Sequence, residues 1–399
     1  MWSAVRHARE AACGFVRRHQ RGLTVVAVGA ACVGGAWYAY RRVATEAERF
    51  SRQLQRQMAS HQRLQLALRS TSDESRATVR RFLPKLRTRL YALVDLEAVV
   101  AELKALKTQA DRPRRNALWE DAKRLAVTRY LTALVAFALW HLLVFAQLAV
   151  VGKRVFEKGE QQASPQAADD EEAQAHHAFL ASGLEYFLDE ALGDIERHVE
   201  RAVRDSKVLQ SYVTVVDGGK RIWQVTRKAE VPREELNELL QALFVDVMPS
   251  LAATDAERPE DSAELRKWRA FLIYPEKQRG QSEQVISLLN DLWDLLESEL
   301  FAPALQQSLG FLCGNAFQDL NDVVYGSATD AESDAARAPP PLAKLIPCLQ
   351  TEVAKLLQPT GPESYAAKYS QGVGEIAAFR DFYEAIFFQS DEALGSQFI

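Results

Sequence analysis

The chain of 399 residues lacks several features on which secreted proteins and metalloproteins depend. Its four cysteines are scattered from Cys13 to Cys348, so they form no Cys-x-x-Cys pair and no spaced set of metal ligands. No Asn-x-Ser/Thr acceptor for N-glycosylation occurs in the sequence. These absences favour free thiols in a reducing compartment and a body that does not enter the secretory lumen.

Common catalytic motifs are also missing. The sequence has no Gly-x-Ser-x-Gly elbow and no His-Glu-x-x-His pair. The one close histidine cluster, His176 and His177 with His198 farther along, adjoins an acidic segment that we predict to be a loop, where ligand geometry would not be held. The net charge of −4 provides no basic domain for nucleic acid. We therefore expect a protein that is not an enzyme, needs no cofactor or metal and binds no nucleic acid.

An uncharged segment near the N-terminus, residues 22–40, is flanked by arginines on both sides. Its 19 residues match about one bilayer crossing. We predict a short basic segment at 1–21, in which Arg17, Arg18 and Arg21 serve membrane targeting, and a transmembrane signal anchor at 22–40. A cleaved signal peptide and a mitochondrial-type presequence remain alternatives, and the balanced arginines do not orient the segment.

Helical periodicity dominates the rest of the chain. A polar stalk at 41–75 leads into an apolar stripe from Val79 to Leu106, for which Pro84 is a candidate break and Pro113 an end. Asn116 is predicted to cap the helix that follows. Loops are predicted at 157–177, 252–264 and 326–341, and residues 209–226 fit a hairpin or a broken helix equally well. Further helices are predicted at 179–203, 232–250, 281–302, 304–324, 341–358 and 362–388.

A second uncharged run extends from Tyr130 to Gly152. Its 23 residues would cover about 34 Å as a helix, enough to cross a bilayer. A helix that is apolar all round can equally form the centre of a bundle. His141 and Gln147, together with amphipathic helices on both sides that need an apolar partner, favour the buried helix.

Trp119 lies just ahead of this run. Helical geometry predicts that Leu118, Ala122 and Leu125 face the core and that Trp119, rotated by about 100°, lies on the side of Lys123 and is half-buried. A tryptophan in this position is either a core residue or the anchor of a docking site. The periodicity alone does not decide between these two roles.

Several islands of sequence fall in the order found in one known family. Residues 57–65 (QMASHQRLQ), 82–87 (FLPKLR), 145–152 (FAQLAVVG) and 289–298 (LNDLWDLLES) belong to them, and the most specific are 118–123 (LWEDAK) and 342–347 (LAKLIP). The chain resembles the peroxisomal biogenesis factor 3 family, which docks a cytosolic receptor for peroxisomal membrane proteins. Residues 204–280 depart from the family pattern.

The resemblance implies an all-α fold: an N-terminal transmembrane anchor followed by an elongated helical bundle, residues 76–399, built around a long central apolar helix. The N-terminus would lie in the peroxisomal lumen and the body in the cytosol. The partner would be the receptor, peroxisomal biogenesis factor 19, whose amphipathic helix binds an apolar groove. Carried over by position, the contacts are Trp119, Leu106, Lys107 and Arg115, and we add Lys123 from its place beside Trp119. A two-span membrane protein and a mitochondrial outer-membrane scaffold are the alternative functions.

Overall fold

A computed structural model gives the fold of the chain, and its elements follow the periodicity of the sequence closely. It describes residues 20–106, 112–161, 168–206, 214–217, 220–223, 231–248, 263–273, 282–326, 341–361 and 364–395. These residues are helical except for short connections and one two-stranded hairpin. The predicted all-α class with one long apolar helix is therefore confirmed at this level.

The α-helices of these residues are numbered here in chain order. They are α1 Gln20–Leu93, α2 Leu96–Ala105, α3 Arg112–Gln161, α4 Ala168–Tyr186, α5 Leu192–Asp205, α6 Arg233–Val247, α7 Ala263–Ala270, α8 Glu283–Glu297, α9 Phe301–Tyr325, α10 Leu345–Leu356, α11 Ala366–Glu375 and α12 Ala377–Gly395. A π-helical turn, Phe187–Ala191, joins α4 to α5, and a 3₁₀ turn, Leu342–Lys344, precedes α10. The strands β1, Thr214–Asp217, and β2, Lys220–Trp223, pair antiparallel with Thr214 opposite Trp223.

The chain divides into two compact units, residues 1–66 and 67–399. The predicted basic segment 1–21 and anchor 22–40 belong to the first unit. Residues 1–19, with Arg17 and Arg18, lie outside the described part of the chain, and only the helical backbone is described at Arg21 and across 22–40. The anchor, the targeting arginines and the stalk boundary at residue 75 therefore stay predictions.

Helix α3 supplies the core of the second unit. Every residue from 126 to 150 is buried, and α2, α4, α5, α8, α9, α10 and α12 all pack against this helix. Among the described helices, residues Pro113–Lys158 are long and apolar enough to cross a membrane, yet 94% of the most apolar stretch lies inside the protein. Burial of this kind is typical of the central helix of a bundle.

His141 and Gln147, the polar residues that the sequence singles out inside α3, have partners within the body. The His141 ring bonds to the carbonyl oxygen of Phe137 through Nδ1, at 2.7 Å, and to the Ser370 hydroxyl through Nε2, at 2.9 Å. The Gln147 amide donates to the carbonyl oxygen of Phe179 at 3.2 Å. Because a buried polar group without a partner costs free energy, these bonds let α3 keep polar side chains in an apolar core.

Several boundaries differ from the sequence predictions; among them, the helix predicted at 362–388 is divided at Ile376 into α11 and α12. Helix α1 continues through Pro84, whose side of the helix is exposed, so that water can solvate the carbonyl group left without an amide partner. The stripe instead breaks at Asp95, whose carboxylate accepts from the Ala98 amide at 2.9 Å and starts α2. Asn116 was wrong as an N-cap, because α3 already begins at Arg112.

The predicted loop at 157–177 was largely wrong, because helix α3 extends to Gln161 and α4 begins at Ala168. Lys158 on α3 lies 2.7 Å from the carboxylate of Glu172 on α4, and this ion pair holds the two helices together across the acidic segment. For residues 209–226, strands β1 and β2 decide between the two alternatives in favour of the hairpin. Of the predicted loops 252–264 and 326–341, residues 252–262 and 327–340 lie outside the described residues, and the first loop ends where α7 begins, at Ala263.

Candidate docking surface

The first turns of α3 are rotated relative to the sequence prediction. The structure buries Ala122, Lys123 and Ala126, whereas Leu118 and Leu125, predicted to face the core, are half-buried. One residue along a helix corresponds to a rotation of about 100°, so the inward face follows the line of Trp119 rather than that of Leu118. Two alanines on this face allow neighbouring helices to approach closely, and the larger leucines are displaced toward the surface.

Trp119 is half-buried, at the outer end of that inward face. From Ala126 onward every residue of α3 up to 150 is covered, while Arg115, Leu118 and Trp119 all remain partly exposed. Trp119 therefore lies where the covering of α3 by other helices ends. Half-burial was predicted, but for another reason: Trp119 lies on the inward face and is partly exposed because it is at the end of that face.

Helix α2, which packs against α3, carries several apolar residues that are only partly covered. Leu96 is its one buried residue, whereas Val99, Val100 and Leu103, together with Leu106 at its C-cap, are only half-buried. We call the half-buried apolar residues of α2 and of the start of α3 the docking surface; its members are Val99, Val100, Leu103, Leu106, Leu118 and Trp119.

The residues that the resemblance implicates fall in different environments. Leu106 and Trp119 both belong to the docking surface, and Arg115 is half-buried one helical turn before Trp119. Lys107 lies outside the described residues. The side chain of Lys123 is only 9% exposed, and its ammonium group lies 2.5 Å from the Glu120 carboxylate, so most of Lys123 is covered by the protein itself.

Arg129, for which the sequence suggested no role, connects α3 to the junction between α1 and α2. Its side chain is 1% exposed. The guanidinium donates to the carbonyl oxygen of Val94 at 3.0 Å and to both carboxylate oxygens of Glu97 at 2.6 and 2.5 Å. It also lies 4.3 Å from the centre of the Tyr91 ring. A charged residue directly before a long apolar run was the one signal that could have marked it.

The electrostatics of this junction follow from the same contacts. The hydrogen bond from Arg129 holds the pKa of the Glu97 carboxyl below its usual value, although partial burial opposes this effect. A second ion pair joins α2 to α3, between Glu102 and Arg114, and both side chains are substantially exposed. Exposed pairs contribute little stability, so the buried guanidinium of Arg129 provides the stronger connection.

In the parts of the chain that the structure describes, no three His, Cys, Asp or Glu side chains come together as ligands for a metal ion. His198, from the histidine cluster, binds the carbonyl oxygen of Val247 at 2.9 Å and the Lys267 ammonium at 2.7 Å, which uses both ring nitrogens. The arrangement around Trp119 is suited to burying apolar groups of a partner.

Comparison of the sequence with protein-family models and with curated proteins found no match in either case.

Proposed function

We propose that this chain is a membrane-anchored docking protein for peroxisome biogenesis, of the kind that the peroxisomal biogenesis factor 3 family represents. Its partner would be the amphipathic helix of peroxisomal biogenesis factor 19, and docking would bring newly made peroxisomal membrane proteins to the membrane. The single observation that carries this proposal is the docking surface: α2 and the start of α3 belong to helices that pack against each other, and both carry half-buried apolar residues, Trp119 among them.

The spacing of these residues supports helix-in-groove recognition. Val99, Leu103 and Leu106 follow one another at steps of four and three along α2, which is the spacing of a single helix face. Helix α2 packs beside the start of α3, so this face and Trp119 belong to neighbouring helices. Amphipathic helices bind between such elements by inserting apolar anchors at the same spacing.

Trp119 is the residue on which we expect binding to depend most. Tryptophan is enriched among the few interface residues that supply most of the binding free energy, because it buries a large rigid surface. The ring of Trp119 is already partly buried in the free protein, which holds it in place before the partner arrives. Replacement by alanine should therefore weaken binding by about 2 kcal/mol or more, roughly thirtyfold in affinity.

The test is a titration of the full chain, in detergent micelles, with a fluorescent peptide of the N-terminal helix of peroxisomal biogenesis factor 19. Trp119→Ala is measured in parallel. Phe388→Ala serves as the matched control, because Phe388 is an aromatic residue with 46% exposure on α12, outside the docking surface. Far-ultraviolet circular dichroism checks that each variant keeps its helices.

Tight binding that is lost in Trp119→Ala and kept in Phe388→Ala would support both the function and the anchor residue. Equal binding by all three proteins would keep the function and reject Trp119 as its anchor. No binding by the folded wild-type chain would refute the proposed function.

The proposed location rests on the predicted anchor at 22–40, which lies within α1. A fluorescently tagged chain should coincide with a peroxisomal marker in cells. Coincidence with a mitochondrial marker would instead favour the outer-membrane scaffold.

A two-span membrane protein is the alternative that the apolar length of α3 favours. Protease sites inserted at 107–111 and at 162–167 would lie on opposite sides of the membrane if α3 crossed it. If α3 is the core of one body, protease added to intact organelles should cut both sites. Cleavage at a single site would support the two-span protein.

A further inference from the structure

Helix α2 is a weakly supported element of the second unit. It has ten residues, and Leu96 is its single buried residue. Helices shorter than about 12 to 15 residues are marginal in water without tertiary contacts. The orientation of α2 must therefore depend on a small number of specific interactions with its neighbours.

Arg129 supplies those interactions at the start of α2. Its guanidinium binds the carbonyl oxygen of Val94, just before α2, and both carboxylate oxygens of Glu97, in the first turn of α2. The two acceptors lie on either side of Asp95, the residue that caps the helix. One planar group thus fixes the bend between α1 and α2 and the direction in which α2 leaves it.

Because the Arg129 side chain is buried, its contacts also fix the orientation of α2. The Arg129 side chain is 1% exposed and extends from the part of α3 whose residues are all buried. The guanidinium of arginine holds its N–H donors in one rigid plane and can bind both oxygens of a carboxylate. The ammonium group of lysine is instead a point charge at the end of a flexible side chain. The lowered pKa of Glu97 agrees with this pairing.

We propose that Arg129 is a positioning residue for docking: by holding Glu97 and the carbonyl group of Val94, it sets α2 at the angle at which the apolar face of α2 and Trp119 form one surface. Arg129 and Trp119 are ten residues apart on α3, about 15 Å along the helix. Arg129 therefore acts through α2 rather than by touching the partner. This inference rests on the proposed function.

Arg129→Lys is the principal test. Lysine keeps the positive charge that the buried site requires but cannot hold both acceptors in one plane. If α2 then holds its docking angle only about a tenth of the time, apparent affinity for the partner helix falls about tenfold, since affinity scales with the competent fraction. We expect this loss in the titration described above, with unchanged circular dichroism.

A second readout separates positioning from general stability. Hydrogen exchange followed by mass spectrometry should show faster exchange in α2 of Arg129→Lys, while residues 133–149 of α3 exchange at the wild-type rate. Glu97→Gln gives a milder variant at a side chain that is 56% exposed, so it will not unfold the body. It should weaken binding about threefold, in the same direction as Arg129→Lys.

Arg154→Lys is the matched control. Arg154 also belongs to α3, and its guanidinium binds Asp291 at 2.5 Å and the Ser287 hydroxyl at 2.8 Å, both on α8 rather than α2. The same substitution there should leave the affinity for the partner helix unchanged.

The outcomes are separable. Wild-type binding that Arg129→Lys retains in full would overturn the positioning role and leave the proposed function standing. Faster exchange in α2 without any loss of affinity would also overturn it, because the angle of α2 would not matter for docking. An equal loss in Arg154→Lys would show a general effect of α3 packing and reject a specific role for Arg129. Absence of binding by the wild-type chain would refute the proposed function and this inference together.

Discussion

His141 allows a quantitative prediction of how stability depends on pH. Burial lowers the pKa of its imidazole from the usual 6.5 to about 4, partly offset by the hydrogen bond to the carbonyl oxygen of Phe137. This carbonyl can only accept, so Nδ1 carries the proton and Nε2 accepts from the Ser370 hydroxyl. The folded protein therefore holds His141 neutral, and protonation would place an unpaired charge in the core.

The direction in which stability changes with pH follows from the number of protons bound by the folded and the unfolded chain. Between pH 6.5 and pH 4 the unfolded chain binds a proton at His141 that the folded chain does not bind, so stability falls as the pH falls through this window. At pH 4.5 the unfolded state is almost fully protonated at this site. Linkage then gives a loss of about 2 to 3 kcal/mol relative to neutral pH, from this side chain alone.

The assay is urea unfolding of the full chain at pH 7.5 and pH 4.5, for wild type and His141→Gln. Glutamine retains a group that can bond to Ser370 but cannot gain a charge, so the wild type should lose about 2 to 3 kcal/mol more than the variant between the two pH values. His61→Gln, at an exposed position of α1, controls for the substitution itself. Identical pH dependence in wild type and His141→Gln would refute a buried neutral imidazole at this site.

The remaining predictions concern packing and reactivity. Gly183→Ala would place a methyl group 2.2 Å from the buried Gln147 amide and should destabilise the protein by about 1 to 3 kcal/mol in urea unfolding. Gly193→Ala, whose added carbon meets nothing within 4 Å beyond its chain neighbours and the backbone of its own helix, should instead be neutral or stabilise the protein by up to about 1 kcal/mol. Arg269→Met removes the donor that binds the carbonyl oxygen of Leu296 at 2.8 Å, at the end of α8. The free energy of unfolding should fall by about 1 to 3 kcal/mol. An unchanged urea midpoint would show that water takes the place of the arginine. Burial raises the pKa of the Cys313 thiol, which is 2% exposed, so a maleimide should label it only after denaturant is added.

The helices were predictable because apolar spacing reports burial directly. The predicted segments 232–250, 304–324 and 341–358 correspond to α6, α9 and α10 within a few residues at each end. In each of these helices one face is covered by a neighbour and the other is exposed, so the sequence alternates with the helical period. In these helices the spacing of the apolar residues therefore predicts both the helix and its buried face.

Helix ends were less predictable, because side-chain bonds decide them. Asp95 ends one helix and starts the next through a single carboxylate that accepts from the Ala98 amide. The apolar stripe continues across this point, since Leu93 and Leu96 keep a helical spacing. Pro84 is the opposite case. It predicts a break in the helix, yet α1 continues through it, because the exposed side of the helix tolerates the missing hydrogen bond.

The rotation of α3 at its start shows why the site itself was only half predictable. Hydrophobicity alone places leucines inward, yet the structure covers Ala122 and Ala126 and leaves Leu118 and Leu125 half-buried. Arg129, about one turn beyond Leu125 on α3, binds Val94 and Glu97, which lie more than 30 residues earlier in the chain. A sequence pattern within one helix does not reveal contacts with residues so far away in the chain.

The stability of the protein and the proposed docking depend on different parts of α3, so substitutions in the two parts should have different effects. Residues 126–150 are wholly buried, so a substitution there alters the free energy of unfolding. Trp119 is half-buried at the end of the same helix, so truncating it removes less core packing and more of the accessible apolar surface. On the proposed function, Trp119→Ala should weaken partner binding more than it lowers stability, whereas Leu139→Ala should lower stability by about 2 to 5 kcal/mol and leave the affinity of the folded fraction unchanged. A pair of variants in which binding and stability fell in parallel would show that Trp119 acts as a core residue, the role that its sequence position left open.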